Sequence, residues 1–428
     1  MNSLVDLFKD FALQKGITDN TYIVGGALRD MLCRTDTKDI DLAVTGDALE
    51  ISKNFAESAG GTYVLLDSEF RTARVVKDSF LLDISAVRGD SIISDLSDRD
   101  ITINAMALAL RDWPSTDHII DPFCGRSDLQ YGIIRMVSEK NLISDPLRIL
   151  RIYRFSAALH ARVEKETRRA LKEHGELLKD VAAERIADEL RRITALPDSH
   201  KIMKVMEEDN TMSILFPEFP GTNVSIKQGI ECCRRIEGLL GNPEPDFPNQ
   251  GQNISANFTP PSRVTCLKLA ALFSGEPIAQ KAALRLKMSK KEAALVTRIS
   301  IGYKNIISLF SEAAEKPELL RYLQCTQDNI YPVAFLAASL DHTGSVLPFF
   351  NKLMSLYIDE IIPRMGRLRM ITGDDLISEF GLSPSPDFRR ILSELQDDIL
   401  LGKVSTKEEA FKAVKEILKD RKDKGNSA

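Results

Sequence analysis

The chain has 428 residues, 43% hydrophobic and 28% charged, so it is long enough for two to four domains and apolar enough to bury a core. No apolar run reaches the length of a membrane span, and the charge-broken N-terminus lacks a signal-peptide core, which predicts a cytoplasmic protein with no membrane partner. A formal net charge of -5 argues against indiscriminate coating of nucleic acid and leaves room for a local basic groove.

The first residues, from Met1 to Asp10, read as an amphipathic helix. Tyr22–Val24 predicts a strand, Gly25-Gly26 a tight turn, and the residues from about Ala27 a helix. Ile40–Val44 predicts a second strand, preceded by Lys38, with a helix starting near Asp47. Further strands are expected at Thr62–Leu66, Ala73–Val76, Phe80–Ser85, Ile119–Ile120 and Ile133–Val137, with a helix over Ile103–Leu110. Short strands and tight turns point to a small mixed sheet backed by helices. From Ser144 onward helical periodicity takes over, as in Pro146–Leu159, Glu164–Leu178 and Ala183–Thr194, and continues to the end. The fold class is therefore an α+β N-terminal part followed by an all-α remainder. The Pro-, Asn- and Gly-rich stretch Gly241–Ser262 predicts a mobile loop, and Lys419–Ala428 a frayed charged end. None of the six cysteines forms a Cys-x-x-Cys pair and the five histidines are scattered, so no zinc site is expected.

The chemistry starts at Gly25-Gly26, where two glycines let a backbone approach a phosphate closely. Asp39 and Asp41 then sit two apart in an apolar strand and so point to one face. Like charges so placed repel, and the usual remedy is a divalent cation. A phosphate-approaching turn beside a two-carboxylate metal site is the equipment of nucleotidyl transfer. Asp83 is a third acidic residue in an apolar strand; it joins the pair if its strand neighbours theirs, and otherwise faces solvent from an edge strand. Arg99 and Asp100 precede an apolar helix, where Asp100 can cap and Arg99 can reach a ribose or phosphate, with Asn104 able to bond a hydroxyl or phosphate oxygen. Asp145 and Pro146 suit a helix start, and Arg148, Arg151 and Arg154 recur every three residues along one side of that helix. Such a stripe serves either as a solvated face or, with Asp145 offering acceptors beside the Arg148 donor fork, as an imitation of a base-pairing edge.

Taken together, these residues resemble the class II tRNA nucleotidyltransferase and bacterial poly(A) polymerase family. Gly25-Gly26-x-x-Arg29-Asp30 with Asp39-x-Asp41 is similar to its first motif, and Arg99-Asp100-Ile-Thr-Ile-Asn-Ala105 to its Arg-Arg-Asp motif. Asp121-Pro-Phe-Cys-Gly125, Ser144-Asp145-x-x-Arg148, Arg151-x-x-Arg154-Phe155 and Glu184-Arg-Ile-Ala-Asp-Glu-Leu190 resemble the segments that follow. The resemblance implies a catalytic head over residues 1–137, a helical neck over 138–205, a body over 206–365 and an RNA-binding tail over 366–428. It further implies magnesium held by Asp39, Asp41 and Asp83. It implies nucleotide contacts from Gly25, Gly26, Arg29, Asp30, Arg99, Asp100, Asn104, Asp145, Arg148, Arg151 and Arg154. The partners it implies are CTP or ATP and the acceptor arm and 3′ end of tRNA.

The sequence departs from that family's pattern at three points. Asp98 stands where the first Arg of Arg-Arg-Asp is usual, Ser144 replaces a Glu, and only Gly89–Asp98 separates Arg88 from Arg99. The short connection resembles CC-adding members. The expected activity is template-independent, magnesium-dependent addition of nucleotides from CTP or ATP to the tRNA 3′ end, in CCA-end synthesis or repair, with the short connection pointing to CC as the product. Poly(A) synthesis, addition of A alone, and a noncatalytic RNA-binding role on the same fold are the alternatives.

Overall fold

The first strand, β1 (Thr21–Val24), lies between helix α1 (Asn2–Lys15) and helix α2 (Gly26–Leu32). The computed structural model describes residues 2–35, 39–69, 71–78, 80–220, 225–259, 261–276, 278–311 and 314–425. Lys38, Pro260 and Asn426–Ala428 lie outside them. The chain divides into two compact units, Met1–Pro217 and Glu218–Ala428.

The first unit is built on a six-stranded sheet in the order β3-β4-β5-β2-β1-β6. Its other strands are β2 (Asp39–Val44), β3 (Thr62–Asp67), β4 (Thr72–Lys77), β5 (Phe80–Ala86) and β6 (Ala107–Ala109). β2 and β5 run parallel and the remaining pairs are antiparallel, which makes the sheet mixed. Alternation along the central strands sends Ile40, Leu42, Val44, Leu82 and Ile84 to one face. There they share a core with Phe8 and Phe11 of α1 and Phe55 of α3 (Ala48–Ala59). Helix α3 starts where the Asp47 carboxylate accepts from the Leu49 and Glu50 amides, and it ends at Gly60 in the left-handed region, φ 65°. On the opposite face Val24 and Ala43 pack with Ile92 and Leu96 of α4 (Ile92–Ser97) and with Ala105 and Ala107. The carboxylates of β2 and β5 lie on this second face.

The rest of the first unit is helical apart from one short parallel pair. The pair is β7 (Ile133–Ile134) with β8 (Arg162–Val163). The helices that bear on the site are α5 (Gly125–Gln130), α6 (Glu139–Ser144), α7 (Leu147–Ala158), α8 (Lys165–His174) and α9 (Ala183–Thr194). Helix α7 buries Ile149, Leu150, Ile152 and Tyr153, and its arginines share another side with Phe155. The second unit is helical throughout its described elements. Near its end Ile371, Leu376, Ile391, Leu395, Ile399 and Val414 form a core of their own.

Several predicted elements differ from those observed. Ile103–Leu110 is not a helix: a 3-10 turn at Thr102–Asn104 is followed by strand β6. The alanines and Met favour a helix, but the free edge of β1 needs backbone partners, and β6 supplies them. Ile119–Ile120 forms only a bridge from Ile120 to Ala107, and the expected strand Ile133–Val137 is cut to its first two residues. The helix expected over Glu164–Leu178 ends at His174 and continues as a 3-10 segment, Gly175–Asp180. The stretch Gly241–Ser262 carries a helix, Gly251–Phe258, because Ile254 and Phe258, one turn apart, both find buried positions. The terminal helix runs on to Gly425, through most of the segment expected to fray.

Candidate active site

The parallel register places Asp41 opposite Asp83, and Asp83 lies opposite Arg74 on β4. One row across the sheet therefore carries Arg74, Asp83 and Asp41, with Asp39 two residues along on the same face. Arg74 holds Asp83 through two bonds, Nε to Oδ1 at 2.7 Å and Nη2 to Oδ2 at 2.8 Å. Burial pushes the Asp41 carboxyl above its usual range, and the charges of Asp83 and Asp39 add to this, against the lowering effect of Arg99 and Arg29. The row thus concentrates negative charge that is only partly offset. Its carboxylate oxygens are hard donors of the kind magnesium takes, but the three acids do not bring their oxygens within 4.8 Å of one another, and both oxygens of Asp83 are held by Arg74.

Gly25 enters α2 with φ 69° and ψ -136°. The positive φ favours glycine, and a Cβ there would stand 2.9 Å from Arg99 Nη1 and 3.2 Å from Asp41 Oδ2, so both side-chain ends would have to give way. Arg99 is aimed at this point by Asp95, whose Oδ2 accepts from Arg99 Nη2 at 2.9 Å while Oδ1 accepts from the Arg88 amide at 3.2 Å. Asn141 of α6 also anchors the segment, donating to the carbonyls of Ser97 and Arg99 at 2.7 and 2.8 Å.

A second group of bonds runs from α2 to α7. Arg29 bonds Asp30 Oδ1 through Nε and Nη2 at 2.8 and 2.6 Å, and donates from Nη1 to Asn104 Oδ1 at 2.9 Å. Asn104 donates to Asp100 Oδ1 at 3.2 Å, and Arg151 donates to Asp100 Oδ2 through Nε at 2.8 Å and Nη2 at 2.7 Å. Asp100 is only 5% exposed. Burial alone would raise its carboxyl, but the Arg151 charge and hydrogen bond, with Asn104 and the Ile101 amide, hold it below the ordinary range. It was expected to cap a helix; with no α-helix following, it closes this network instead.

Asp145 does not cap α7 either. Pro146 occupies the cap position, and Asp145 Oδ2 accepts from Arg185 Nη2 at 3.1 Å, with Arg148 Nε at 3.9 Å. Burial lowers the Arg148 guanidinium, and its Nη1 is buried with no hydrogen-bond partner among the described residues. Arg154 donates from Nε to Glu189 of α9 at 2.7 Å. The three arginines are therefore not a solvated face.

Asp95, Asn141 and Arg74 were not singled out from the sequence, and Arg185 and Glu189 entered only as part of the Glu184–Leu190 segment. Asp95 and Glu189 carried a signal, since each is an acidic residue inside the apolar stripe of its helix. Arg74 and Arg185 carried none, because their partners lie on other elements.

Breaking the buried Asp100–Arg151 pair should be costly. Asp100→Asn is expected to destabilise the protein by about 3 kcal/mol at neutral pH. The folded carboxyl titrates below the unfolded one, so its contribution is present above the unfolded value and lost as pH falls through the folded value. The difference between wild type and variant in urea unfolding should accordingly narrow below about pH 4. A constant difference down to the acid transition would rule out the ion pair as its source.

Residues 21–135 match the family described as the poly A polymerase head domain, and residues 162–221 match the probable RNA and SrmB-binding site of polymerase A. A CC-adding tRNA nucleotidyltransferase of Synechocystis is 29% identical over 398 residues, covering 92% of this chain and 93% of the relative. An A-adding tRNA nucleotidyltransferase of Halalkalibacterium halodurans is 29% identical over 423 residues, covering 93% and 88%. The Thermotoga maritima CCA-adding enzyme, solved in complex with tRNA, has the same fold, with a TM-score of 0.67 at 23% identity over 97% of this chain and 95% of that one. Residues 21–135 and 162–221 thus match two polymerase A family models, and over nearly its full length the chain is similar to tRNA nucleotidyltransferases.

Proposed function

We propose that this protein is a cytoplasmic, magnesium-dependent enzyme that adds nucleotides, without a template, to the 3′ end of tRNA, and that its product is CC. The observation that carries the reading is the row of Asp39, Asp41 and Asp83 beside the Gly25 turn. Asp39, Asp41 and Asp83 would hold magnesium. Bound there, the metal supplies Lewis-acid activation of the RNA 3′-hydroxyl and neutralises charge on the triphosphate and the leaving pyrophosphate. Gly25 and Gly26 let the backbone come close to the phosphates, and Arg29 and Arg99 offer guanidinium donors to phosphate or ribose oxygens. Asp30, Asp100, Asn104, Arg151 and Arg154 fix the two sides of the pocket relative to each other. Asp145 and Arg148 read the edge of the incoming base, the free Arg148 Nη1 being a donor in want of an acceptor. Residues 1–137 act as catalytic head and 138–205 as neck. The body, 206–365, and the tail, 366–428, grip the acceptor arm by shape and phosphate contacts.

Asp39→Ala or Asp41→Ala should cut nucleotide addition on the order of a thousandfold or more while leaving tRNA binding and circular dichroism intact. Full activity in either folded variant sinks the metal assignment.

Asp145→Ala should weaken discrimination among CTP, ATP, UTP and GTP by roughly 1–3 kcal/mol, more than it weakens triphosphate binding. The measurement is competition in single-turnover addition. Unchanged preference ratios would leave Asp145 only its ion pair with Arg185.

The CC product rests on the Gly89–Asp98 connection. The relatives do not decide it, since a CC-adding and an A-adding enzyme are equally similar at 29% identity. Here the connection is mostly α4, capped by Ser91 and tied through Asp95 to Arg88 and Arg99. Re-aiming base-reading residues between C and A needs a mobile lever. This helix offers little slack for one. With CTP and ATP both present, tRNA lacking its CCA end should gain two C residues and stop, as read on a sequencing gel. Efficient completion to CCA, addition of A only to tRNA ending in CC, or a long A tail would each reject this product.

A further inference from the structure

The reading above gives work to Arg29, Arg151 and Arg154 but none to the ring they surround. Phe155 of α7 is 7% exposed. The guanidinium carbon of Arg154 lies 4.2 Å from the ring centroid, that of Arg29 5.3 Å, and that of Arg151 5.5 Å. All three fall within the roughly 6 Å at which a ring's negative face attracts a cation. Arg151 and Arg154 come from the same helix as Phe155, whereas Arg29 comes from α2, just past the glycine turn.

Three like charges converging on one point repel each other. Each has an oxygen partner on one edge: Asp30 and Asn104 for Arg29, Asp100 for Arg151, and Glu189 for Arg154. Those partners lie on different segments and hold each fork by its edge. The Phe155 ring is a surface that all three share. A leucine would fill a similar volume but present no negative face.

We propose that Phe155 is a positioning residue for nucleotide selection. Its ring sets the spacing between the phosphate-side Arg29 and the base-reading helix α7, so that the triphosphate and the base of one nucleotide are held in register. This rests on the nucleotidyltransferase reading. Phe155 acts through the arginines and makes no contact with the nucleotide itself.

Phe155→Leu removes the π face and Phe155→Tyr keeps it. In tRNA extension, Phe155→Leu should raise the KM for CTP about tenfold and reduce the preference for CTP over UTP by about fivefold, with kcat within about threefold of wild type. Phe155→Tyr should stay within about twofold of wild type on all three. If Phe155→Leu fails to fold by circular dichroism, Phe155→Met carries the same comparison. A wild-type KM and preference in the leucine variant would overturn the proposal. So would a tyrosine variant as defective as the leucine one, since that result reports packing alone.

A second readout needs no activity. In nucleotide-free protein, the Arg29 Nε–H resonance should carry a ring-current shift that Phe155→Leu removes and Phe155→Tyr retains. An Arg29 resonance unmoved by Phe155→Leu overturns the shared face whatever the kinetics. A wild-type protein that shows the shift but adds no nucleotide would overturn the nucleotidyltransferase reading, and the selective role with it.

Discussion

The site depends on one continuous line of bonds, from Asp30 through Arg29, Asn104 and Asp100 to Arg151. It joins the turn after β1 to the helix carrying Asp145 and Arg148, two segments more than a hundred residues apart in the chain. Asn104 is the link that makes the line possible. An amide presents an acceptor to Arg29 and a donor to Asp100 at once, which neither a carboxylate nor an ammonium can do. Placing Asn104 between them requires the tight 3-10 turn at Thr102–Asn104 and the pairing of β6 with β1 that follows it. The correction to the expected helix over Ile103–Leu110 is therefore also the reason the network closes.

The same sheet solves a second problem, how to hold carboxylates together without unfolding around them. The opposite face is a dense aromatic and aliphatic core, with Phe8 and Phe55 at 4.8 Å between centroids. That core fixes the strands, and the strand register then fixes the acids whether or not their charges are content. Asp83 is relieved by Arg74 at the directly opposite position, whereas Asp41 stays pushed above its ordinary range. Charge strain is confined to one open patch and its stabilisation comes from the far side of the sheet, as expected where function and stability compete. A net charge of -5 is no obstacle here, since guanidinium groups are drawn to the site individually by Asp95, Asp100 and Glu189.

The sequence made the central strands legible because β2 and β5 alternate between core and acid, but it left open whether Asp83 lies beside Asp41, which the parallel pairing of the two strands decides. The helices α7 and α9 were legible from their apolar spacing, α9 to the residue. What remained hidden was pairing across distance. Nothing near Arg74 names Asp83 as its partner, and nothing near Asp145 names Arg185. Both helix caps assigned to Asp100 and Asp145 rested on a rule about local backbone donors. For Asp100 the distant Arg151 guanidinium offers a stronger, charge-assisted partner, whereas at Asp145 the cap position is taken by Pro146. The helix within Gly241–Ser262 was missed for the opposite reason, because Pro, Asn and Gly dominated the reading and Ile254 and Phe258 were outvoted.

The unsatisfied Arg148 Nη1 is the clearest sign that the first unit is not optimised for stability alone. Leaving a buried donor unbonded costs about 1–3 kcal/mol, and more when the group is charged. Its nearest acid, Asp145, is turned toward Arg185, a half-exposed partner whose ion pair is worth little in water. A protein selected only to fold would let Asp145 swing onto Arg148 and satisfy both. Asp145 Oδ2 stays 3.9 Å from Arg148 Nε, and Arg148 Nη1 is left without a partner among the described residues. On the reading proposed here, an incoming base completes what the fold leaves open. A base with the wrong edge would fill the space without supplying the bonds, and the unpaired donor would remain. Discrimination of that kind needs no induced closure, and so it is compatible with the tethered helix α4.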